Sequence, residues 1–325
     1  MMTPSSILIR SSNWLGDAIM TMPAVHAIRQ NCPQARIVVL AQTKLHEVWK
    51  RFPGIDAVLS VDKSAWKTAA LIRKEKFDMV VVFPNSFRSG LEVFLGRVSV
   101  RVGYRGHLRS LFLTKAVRKT LPETGIRHQK LDYLALVREA GFKAPDDIQL
   151  PEVPPFNPAP LSEPYLVVCP GAEYGPAKRW PAERFAEAAQ RIVQKTGWKV
   201  ILLGAKADIE ASADVEKHLG LPCQNLTAKT SLGEFIDYLH HASMVLCNDS
   251  GSMHLAAFLK RPAIAIFGST EQRLTGPLGN SVSILREHVP CSPCFLRKCP
   301  IDFRCMLLLD VDRVVAAADK ILAKK

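Results

Sequence analysis

One turn in the second half of the chain combines glycines with adjacent cationic residues in a pattern suited to anion binding. It runs Pro170-Gly-Ala-Glu-Tyr-Gly-Pro-Ala-Lys-Arg-Trp-Pro181, after an apolar run that ends at Cys169 and before a helix-like run that begins at Ala182. Backbone N–H groups at a helix start face outward, the helix dipole favours negative charge, and glycine lets a phosphate approach the backbone. Lys178 or Arg179 would add a full positive charge. The pattern predicts a phosphate site, although a turn of this kind taken alone often binds nothing.

Two further segments show the same order of strand, polar turn and helix. Met244–Cys247 leads into Asn248-Asp-Ser-Gly251 and then into a helix that carries His254. Ile7–Arg10 leads into Ser11-Ser-Asn-Trp-Leu-Gly-Asp17 and a long helix-like run. Because these turns place glycine and aspartate at the carboxyl end of a strand, they predict ligand binding at the strand tips of open α/β sheets.

The polar residues of these turns have a structural interpretation as well as a functional one. Asp249 or Ser250 could cap the second helix, and Asp17 could cap the helix that follows it. In a binding role, the N–H groups of Ser250 and Gly251 would donate to a phosphate, and Asp249 would accept from sugar or backbone groups. The residue types alone leave both interpretations open.

Alternating strand and helix patterns on either side of a proline-rich stretch predict two α/β domains. Residues Pro151–Pro164 contain six prolines in fourteen positions, a density that excludes a helix or a central strand. Strand-like runs lie at Ile7–Arg10, Arg36–Ala41, Ala57–Ser60, Asp78–Phe83, Tyr165–Cys169, Lys199–Leu203, Cys223–Leu226, Met244–Cys247 and Ala263–Phe267. Helix-like runs lie at Ala18–Gln30, Lys44–Arg51, Ser64–Lys74, Gln129–Ala140, Ala182–Lys195, Asp208–Leu219, Leu232–His241 and Met253–Leu259, and Pro84–Gly103 reads as a polar turn with a short helix. We predict doubly wound domains over residues 1–155 and 156–325, joined by a hinge that allows closure.

The composition fits a globular protein and gives no sign of a membrane span. The chain has 325 residues, of which 48% are hydrophobic and 22% charged. No apolar run approaches the roughly 18 residues needed to cross a bilayer. Arg10 and Asp17 interrupt the N-terminal apolar pattern too early for a signal peptide. The expected location is the cytoplasm.

The net charge of +13 is concentrated in the first half of the chain. Between Arg97 and Lys143, eleven basic residues stand against Glu123, Asp132 and Glu139, a local net of +8. Such a surface attracts nucleic acid, an anionic membrane face or a phosphorylated substrate, but it could also be a solvated surface that aids solubility. Because no zinc-finger, RNP-type or helix-turn-helix pattern accompanies the charge, nucleic acid is the weaker expectation.

Four of the eight cysteines lie close together near the C-terminus: Cys291, Cys294, Cys299 and Cys305. Their spacing resembles a metal-ligand arrangement, and a structural zinc or iron–sulfur site is one interpretation. Zinc ribbons usually have a longer loop between their cysteine pairs. Free thiols, or a disulfide formed on oxidation, are therefore the alternative interpretations of these four cysteines.

Several motifs in order identify the chain as similar to a family of sugar-transfer enzymes. No strand leads into a G-x-G-x-x-G turn, and no Walker A sequence is present. Segments Ser12–Ala24, Pro170–Pro181, Asn248–Ala257 and Phe267–Pro277 resemble the GT-B glycosyltransferases, and more narrowly the bacterial heptosyltransferases of glycosyltransferase family 9, with Pro170–Pro181 most similar to the heptosyltransferase II branch. The resemblance covers nearly the whole chain. It implies two Rossmann-like domains facing across a cleft, the N-terminal one binding the acceptor and the C-terminal one the ADP-sugar.

The resemblance also implies a reaction. An enzyme of this kind transfers L-glycero-D-manno-heptose from ADP-heptose to heptosyl-Kdo–lipid A, the inner core of lipopolysaccharide, with inversion at the anomeric carbon. A heptosyltransferase of type I or III, or a family member with another donor or acceptor, stays open. So do a sugar-nucleotide 2-epimerase and a non-enzymatic polyanion-binding module. We expect a monomer that is peripheral to the anionic inner face of the inner membrane and has no nucleic-acid partner.

Catalytic roles follow from the same resemblance. Asp17 matches the family's base, which takes a proton from the acceptor hydroxyl. Lys178 matches the lysine that stabilises the departing diphosphate, and Asp249 matches an acidic residue near the donor sugar. Asp208 matches an acidic residue that binds the adenosine ribose, unless it only caps its own helix.

The remaining expected contacts are divided between donor and acceptor. The residues expected at the ADP-sugar either offer backbone N–H groups to it or lie near its nucleotide: Gly171, Ala172, Thr230, Ser231, Leu232, Ser250, Gly251 and His254. Of these, Thr230, Ser231 and Leu232 are expected at the adenine, and His254 could instead pack inside its helix. The acceptor set is Asn13, Arg105 and Arg109. No metal or other cofactor is expected for catalysis: no Asp-x-Asp metal motif is expected in the second half, so Lys178 and helix dipoles would meet the diphosphate charge.

Overall fold

The computed structural model describes residues 4–106, 108–120 and 125–324. By its internal contacts the chain divides after Val153 into two compact units. The boundary expected from the sequence, between residues 155 and 156, lies two residues further on. No regular secondary structure forms between Ala140 and Tyr165.

The N-terminal unit is a parallel sheet covered by helices. Its strands are β1 (Ser6–Arg10), β2 (Arg36–Ala41), β3 (Ala57–Ser60), β4 (Met79–Val82), β5 (Val100–Tyr104) and β6 (Lys115–Val117). Its helices are α1 (Leu15–Asn31), α2 (His46–Lys50), α3 (Ala65–Glu75), α4 (Phe87–Leu95) and α5 (Gln129–Glu139), with short 3-10 turns at Thr43–Leu45 and Arg109–Phe112. The strand order is β3-β2-β1-β4-β5-β6, and every pairing is parallel.

Serine caps start two of these helices directly after their strands. The Ser64 hydroxyl accepts from the backbone N–H of Lys67 at the start of α3, and the Ser86 hydroxyl accepts from that of Ser89 at the start of α4. A side-chain cap satisfies one of the unpaired N–H groups of a helix terminus. Helices α3 and α4 therefore begin at the carboxyl edge of the sheet.

The C-terminal unit is built in the same way. Its strands are β7 (Tyr165–Cys169), β8 (Lys199–Leu202), β9 (Cys223–Asn225), β10 (Met244–Asn248), β11 (Ala263–Phe267) and β12 (Val282–Arg286). Its helices are α6 (Ala182–Thr196), α7 (Ile209–Leu219), α8 (Leu232–His241), α9 (Gly251–Phe258), α10 (Gln272–Thr275), α11 (Arg304–Leu307) and α12 (Val311–Leu322), with 3-10 turns at Pro176–Lys178 and Lys206–Asp208. The order is β12-β11-β10-β7-β8-β9, again parallel.

The two sheets share one topology. In each, the first strand of the unit pairs with the second on one side and with the fourth on the other, so the winding reverses between β1 and β4 and between β7 and β10. Ligands of open α/β sheets bind outside the carboxyl ends of the strands at such a reversal. The fold therefore offers one binding position in each unit.

The predicted strands and helices are confirmed, and several elements were missed. Strand β5 lies partly inside Pro84–Gly103, which the sequence assigned to a turn and short helix, and β6, β12 and α12 were not expected. In β5, apolar and polar residues alternate only once before the glycine, and β6 is three residues long. Neither segment therefore shows the two-residue hydrophobic period that indicates a strand. Across the described ranges, no helix is both long and apolar enough to cross a bilayer.

Candidate active site

The turn that follows β7 is fixed by glycine and by a distant backbone carbonyl. Gly175 has φ +152°, and a Cβ there would lie 2.5 Å from the carbonyl oxygen of Arg297. The backbone N–H of Ala177 donates to that same oxygen at 3.0 Å. Glycine is required here because a side chain would collide with the backbone. The turn thus folds back and brings Lys178 to the carboxyl end of the sheet.

Lys178 and Asp249 form a largely buried ion pair at the reversal between β7 and β10. Lys178 Nζ lies 2.5 Å from Asp249 Oδ2, and the Thr270 hydroxyl donates to the same oxygen at 2.5 Å. Nζ also lies 4.8 Å from the centre of the Tyr174 ring. Charge-assisted hydrogen bonds and ring contacts of this kind hold a lysine head group in one place. The pair confirms that the structure brings together two residues that the sequence placed in separate motifs.

The start of α9 adds backbone donors beside this pair. Ser250 is the N-cap residue of α9, but its hydroxyl makes no cap and has no hydrogen-bond partner among the described residues. The first N–H groups of a helix have no partner within that helix, and they attract anions. Ser250 and Gly251 thus offer donors, and Lys178 a cation, at one end of the sheet.

Asp208 lies against Gly171, and one of its carboxylate oxygens has no hydrogen-bond partner among the described residues. A Cβ at Gly171 would lie 2.0 Å from Asp208 Oδ1, so only glycine leaves room for this carboxylate. Asp208 Oδ2 accepts from the N–H of Ala205 at 2.9 Å, whereas Oδ1 is buried and has no donor within the part of the chain that the structure describes. Asp208 is the N-cap residue of α7, but its side chain makes no hydrogen bond to that helix and instead caps the preceding 3-10 turn through Ala205. A free acceptor oxygen at this position suits a ribose hydroxyl.

A buried asparagine ties the two donor-site turns to each other. Asn248 Nδ2 donates to the carbonyl of Pro170 at 2.7 Å, and Asn248 Oδ1 accepts from the N–H of Trp180 at 3.0 Å. Trp180 is buried, and its Nε1 donates to the carbonyl of Leu309. Trp180 therefore has a structural role, and Asn248 positions the turn that carries Lys178.

The other expected donor residues lie at different places in the unit. Ala172 and His254 are both buried. Ser231 forms a capping box with Glu234 at the start of α8, so its hydroxyl is engaged in the cap. Thr230 precedes Ser231 in the connection from the outermost strand β9, and Leu232 is the first residue of α8. An adenine pocket at these residues stays a prediction.

In the N-terminal unit, Asp17 lies in the first turn of α1, directly after β1. Gln129 Nε2 donates to Asp17 Oδ1 at 3.4 Å and to the Tyr133 hydroxyl at 2.5 Å. Burial, followed by the charge of Asp17, raises the pKa of Tyr133. Asp17 is half-buried, so a substrate can reach it. The contacts of Gln129 and Tyr133 with this site were not predictable from the sequence, because α5 lies far from α1 along the chain.

Asn13 lies four residues before Asp17 in the chain and lines a cavity of about 250 Å³. The other lining residues are Arg10, Gln42, Val61, Asp62, Lys63, Ser86 and Arg88. Arg10 and Arg88 share the fully buried carboxylate of Glu92, at 3.1 and 2.7 Å. The cavity places positive charge and amide groups at the same edge as Asp17, which suits an acidic acceptor.

The two arginines expected at the acceptor differ from each other. Arg105 is exposed, and its Nε donates to the carbonyl of Ala116. Arg109 is fully buried under Gly103, it donates to Asn85 Oδ1 at 3.0 Å, and burial lowers its pKa to about 10. This corrects the expectation that Arg109 is available to an acceptor.

Part of the basic segment is neutralised within the unit. Four of its cations pair with carboxylates: Lys115 with Glu139, Lys119 and Arg127 with Asp132, and Arg138 with Asp146. Glu123 lies outside the described residues. Exposed ion pairs contribute little to stability, but their carboxylates neutralise positive charge. The unpaired positive charge of the segment is therefore smaller than its sequence indicates.

The clustered cysteines line one small cavity but do not form a metal site. All four border a cavity of about 130 Å³ together with Ala177 and Ser269. Cys291 and Cys294 are exposed and Cys305 is buried, and all eight cysteines are free thiols. No three His, Cys, Asp or Glu residues in the described ranges are arranged to hold a metal ion, which corrects the zinc or iron–sulfur interpretation. The segment instead holds two turns of this unit: the N–H groups of Cys294 and Phe295 donate to the carbonyl of Ser269 after β11, and the carbonyl of Arg297 accepts from Ala177 after β7.

Contrary to the expectation from the sequence, this unit does contain an Asp-x-Asp pair, Asp310-Val-Asp312, and the pair is structural. The Asp310 side chain caps α12 by accepting from the N–H of Arg313, and Asp312 pairs with Arg191 on the surface. Neither carboxylate lies in the turns that follow β7 or β10.

Comparison with known proteins shows which family this chain matches. The model of glycosyltransferase family 9 (heptosyltransferase) matches residues 65–303. Lipooligosaccharide heptosyltransferase 2 of Haemophilus influenzae is 30% identical over 86% of this chain and 88% of its own length. Lipopolysaccharide heptosyltransferase 2 of Escherichia coli is 29% identical over 86% of this chain and 87% of its own. The solved structure of E. coli ADP-heptose LPS heptosyltransferase II has a TM-score of 0.83 and 25% identity, covering 98% of this chain and 99% of that one.

Proposed function

Because the chain belongs to glycosyltransferase family 9 and has its GT-B fold, we propose that it transfers heptose from ADP-heptose to the inner core of lipopolysaccharide. Its similarity over most of its length to heptosyltransferases 2 of two organisms supports this donor and acceptor. The observation that carries the proposal is the Lys178–Asp249 pair at the reversal between β7 and β10, next to the start of α9. Cation, helix N-terminus and carboxylate together suit a nucleotide diphosphate joined to a sugar.

In the proposed donor complex, the diphosphate lies on the N–H groups of Ser250 and Gly251 and is contacted by Lys178. As the bond between the anomeric carbon and the diphosphate breaks, negative charge grows on the leaving ADP, and the ammonium stabilises it. Asp249 then accepts from a sugar hydroxyl in place of the lysine. The free Oδ1 of Asp208 accepts from the ribose.

Asp17 is the proposed base. It takes the proton of the acceptor hydroxyl as that oxygen attacks the anomeric carbon from the face opposite ADP, which inverts the configuration. Gln129 holds the carboxylate through Oδ1. Asn13, with the cavity that it lines, contacts acidic groups of the acceptor.

We propose further that the transfer needs no metal ion. Lys178 and the start of α9 supply the positive potential that a divalent cation would otherwise provide. The rate of transfer should be unchanged by EDTA and by added Mg²⁺. A rate that falls with EDTA and returns with Mg²⁺ would contradict this part of the proposal.

The proposed setting is the cytoplasmic face of the inner membrane, where the enzyme acts as a peripheral monomer on heptosyl-Kdo–lipid A. The positive charge of the N-terminal half supports an anionic surface as its partner. An acceptor that is held in a bilayer by its lipid can be reached only by a protein that works at that surface.

The test is direct transfer with two acceptors. Purified protein is incubated with ADP-heptose and either Kdo–lipid A or heptosyl-Kdo–lipid A, and product masses are measured. One added heptose on the heptosylated acceptor alone supports the proposal, and one on the other acceptor reassigns the enzyme to type I. Folded protein that binds ADP but modifies neither acceptor would indicate another donor or acceptor.

A further inference from the structure

The N-terminal unit exposes large apolar side chains at one edge of its sheet. Trp14 follows β1, Trp66 opens α3 after β3, Phe87 opens α4 after β4, and Leu108 and Leu111 follow β5. The exposed fractions are 52% for Trp14, 71% for Trp66, 44% for Phe87, 73% for Leu108 and 76% for Leu111. The strands are parallel, so all of these residues lie at the carboxyl edge. That is the edge at which α1 begins and which holds Asp17.

Part of this apolar surface is continuous. The Phe112 ring lies between those of Phe87 and Phe94 on α4, with centroid distances of 5.1 and 5.3 Å. Leu111 precedes Phe112 in the same 3-10 turn. Single exposed apolar residues are common, whereas a contiguous patch marks a surface that contacts a partner or a membrane.

Exposed cations accompany the apolar residues at each of these strand ends. Lys44 lies over the Trp14 ring, with Nζ 5.2 Å from its centre. The others are Lys63 and Lys67 beside Trp66, Arg88 after Phe87, and Arg105 before Leu108. In the described parts of these turns and the first turns of the helices that follow, the carboxylates are Asp17, Glu47 and Asp62. Glu47 pairs with Lys50 and Arg51, and Arg88 pairs with the buried Glu92. The edge therefore combines tryptophan and leucine with an excess of positive charge, which is the composition of surfaces that lie in the headgroup layer of anionic bilayers.

We propose that this edge, defined by Trp14, Trp66, Phe87, Leu108 and Leu111, docks on an anionic lipid bilayer. The leucines and aromatic rings enter the headgroup layer, and the lysines and arginines contact lipid phosphates. Anchors spread over four strand ends, with cations between them, fit a flat lipid surface better than they fit the groove of a protein partner.

Docking in this orientation turns the carboxyl edge of the sheet, and Asp17 with it, towards the lipid headgroups. A sugar that is anchored in the bilayer then reaches the base without leaving the membrane surface. The orientation rests on the proposed function, whereas the binding to lipid does not.

Vesicle binding of the full chain tests the proposal. The wild type should co-sediment with vesicles of phosphatidylethanolamine and phosphatidylglycerol, and much less with phosphatidylcholine or at high salt. The variant Leu108→Ser/Leu111→Ser should bind the anionic vesicles about tenfold more weakly or worse, because it loses two inserted side chains. The separate variant Trp66→Ser removes an inserted ring at another strand end and should also weaken binding to the anionic vesicles. The matched control Leu307→Ser/Leu308→Ser removes two exposed leucines of the C-terminal unit and should bind as the wild type does.

Equal binding by the wild type and both edge variants, or no binding by the wild type, would overturn the proposal. A shift of the wild type to dimers in sedimentation velocity, lost in Leu108→Ser/Leu111→Ser, would assign the edge to a second copy of the chain instead.

Transfer assays separate the two proposals. The edge variants should lose transfer to a vesicle-embedded acceptor and keep it with a deacylated, soluble acceptor. A wild type that binds vesicles but transfers to neither acceptor would contradict the proposed function alone.

Discussion

Lys178 Nζ and Asp249 Oδ2 lie 2.5 Å apart in the turns that follow two adjacent strands, at the proposed donor site. Without a donor, the carboxylate satisfies the ammonium, and with a diphosphate in place the ammonium has a stronger anionic partner. Lys178→Ala should therefore lower kcat by about 10²- to 10³-fold, the usual effect of removing one donor that stabilises transition-state charge. The measurement is initial rate at saturating ADP-heptose.

The matched control for that variant is Lys195→Ala. Its ammonium pairs with Asp319 on the surface at the end of α6, so its loss should leave kcat unchanged. A Lys178→Ala enzyme that stays within a few-fold of the wild type would remove the lysine from the mechanism.

Asp17→Asn should lower kcat by about 10²- to 10⁴-fold, because the amide cannot take the proton of the acceptor hydroxyl. Binding of ADP, measured by calorimetry, should be unchanged, since the donor residues lie in the other unit. Asp147→Asn, at an exposed position, is the control. Full activity in Asp17→Asn would require another base.

Thr270 is expected to position Asp249, to which its hydroxyl donates at 2.5 Å. Thr270→Val removes the donor at nearly constant volume and should lower kcat/KM for ADP-heptose about 10- to 100-fold, since hydrogen bonds to charged groups are worth about 1.5–3 kcal/mol. Thr270→Ser keeps the hydroxyl and should recover most of the loss. If the valine and serine variants behave alike, the hydroxyl has no such role.

The stability of the C-terminal unit should depend on pH through Glu271. Hydrogen bonds from Arg273, and then from the buried Arg286, lower the pKa of Glu271 to about 2. A carboxylate with a lowered pKa stabilises the fold fully above its unfolded pKa of about 4.3, and this contribution is lost as the pH falls towards 2. The loss is up to about 3 kcal/mol.

Urea unfolding at a series of pH values checks this prediction. Glu271→Gln should be less stable than the wild type near neutral pH, and the difference should narrow below about pH 5. Glu287→Gln, which breaks the pair with Arg313 on a partly exposed surface, is the control. A difference between Glu271→Gln and the wild type that stays constant with pH would contradict the assignment.

The sequence predicted those features that depend on neighbouring residues. Apolar runs of four to six residues indicated most of the central strands, and glycines with carboxylates marked the turns after β1, β7 and β10. Two glycines also have packing roles that the sequence did not reveal. Gly171 makes room for the carboxylate of Asp208, and Gly175 for the carbonyl of Arg297, so each serves packing within the protein.

Contacts between distant parts of the chain were not predictable from the sequence. Gln129 reaches Asp17 from α5, and Thr270 reaches Asp249 from the turn after β11. The four cysteines had ligand-like spacing, yet burial differs among them and they form no metal site within the described chain. Arg109 had the charge expected of an acceptor contact, but the fold buries it.

The strand order that repeats in both halves has an evolutionary consequence. Each half has its own reversal point, so the turns proposed to bind the acceptor can mutate without disturbing those proposed to bind the nucleotide. Descendants of one ancestor could thus acquire new acceptors while inheriting one donor chemistry. The proline-rich stretch between residues 151 and 164 is the natural crossover for such recombination, and hybrids joined there should inherit donor preference from the parent that supplies the C-terminal half.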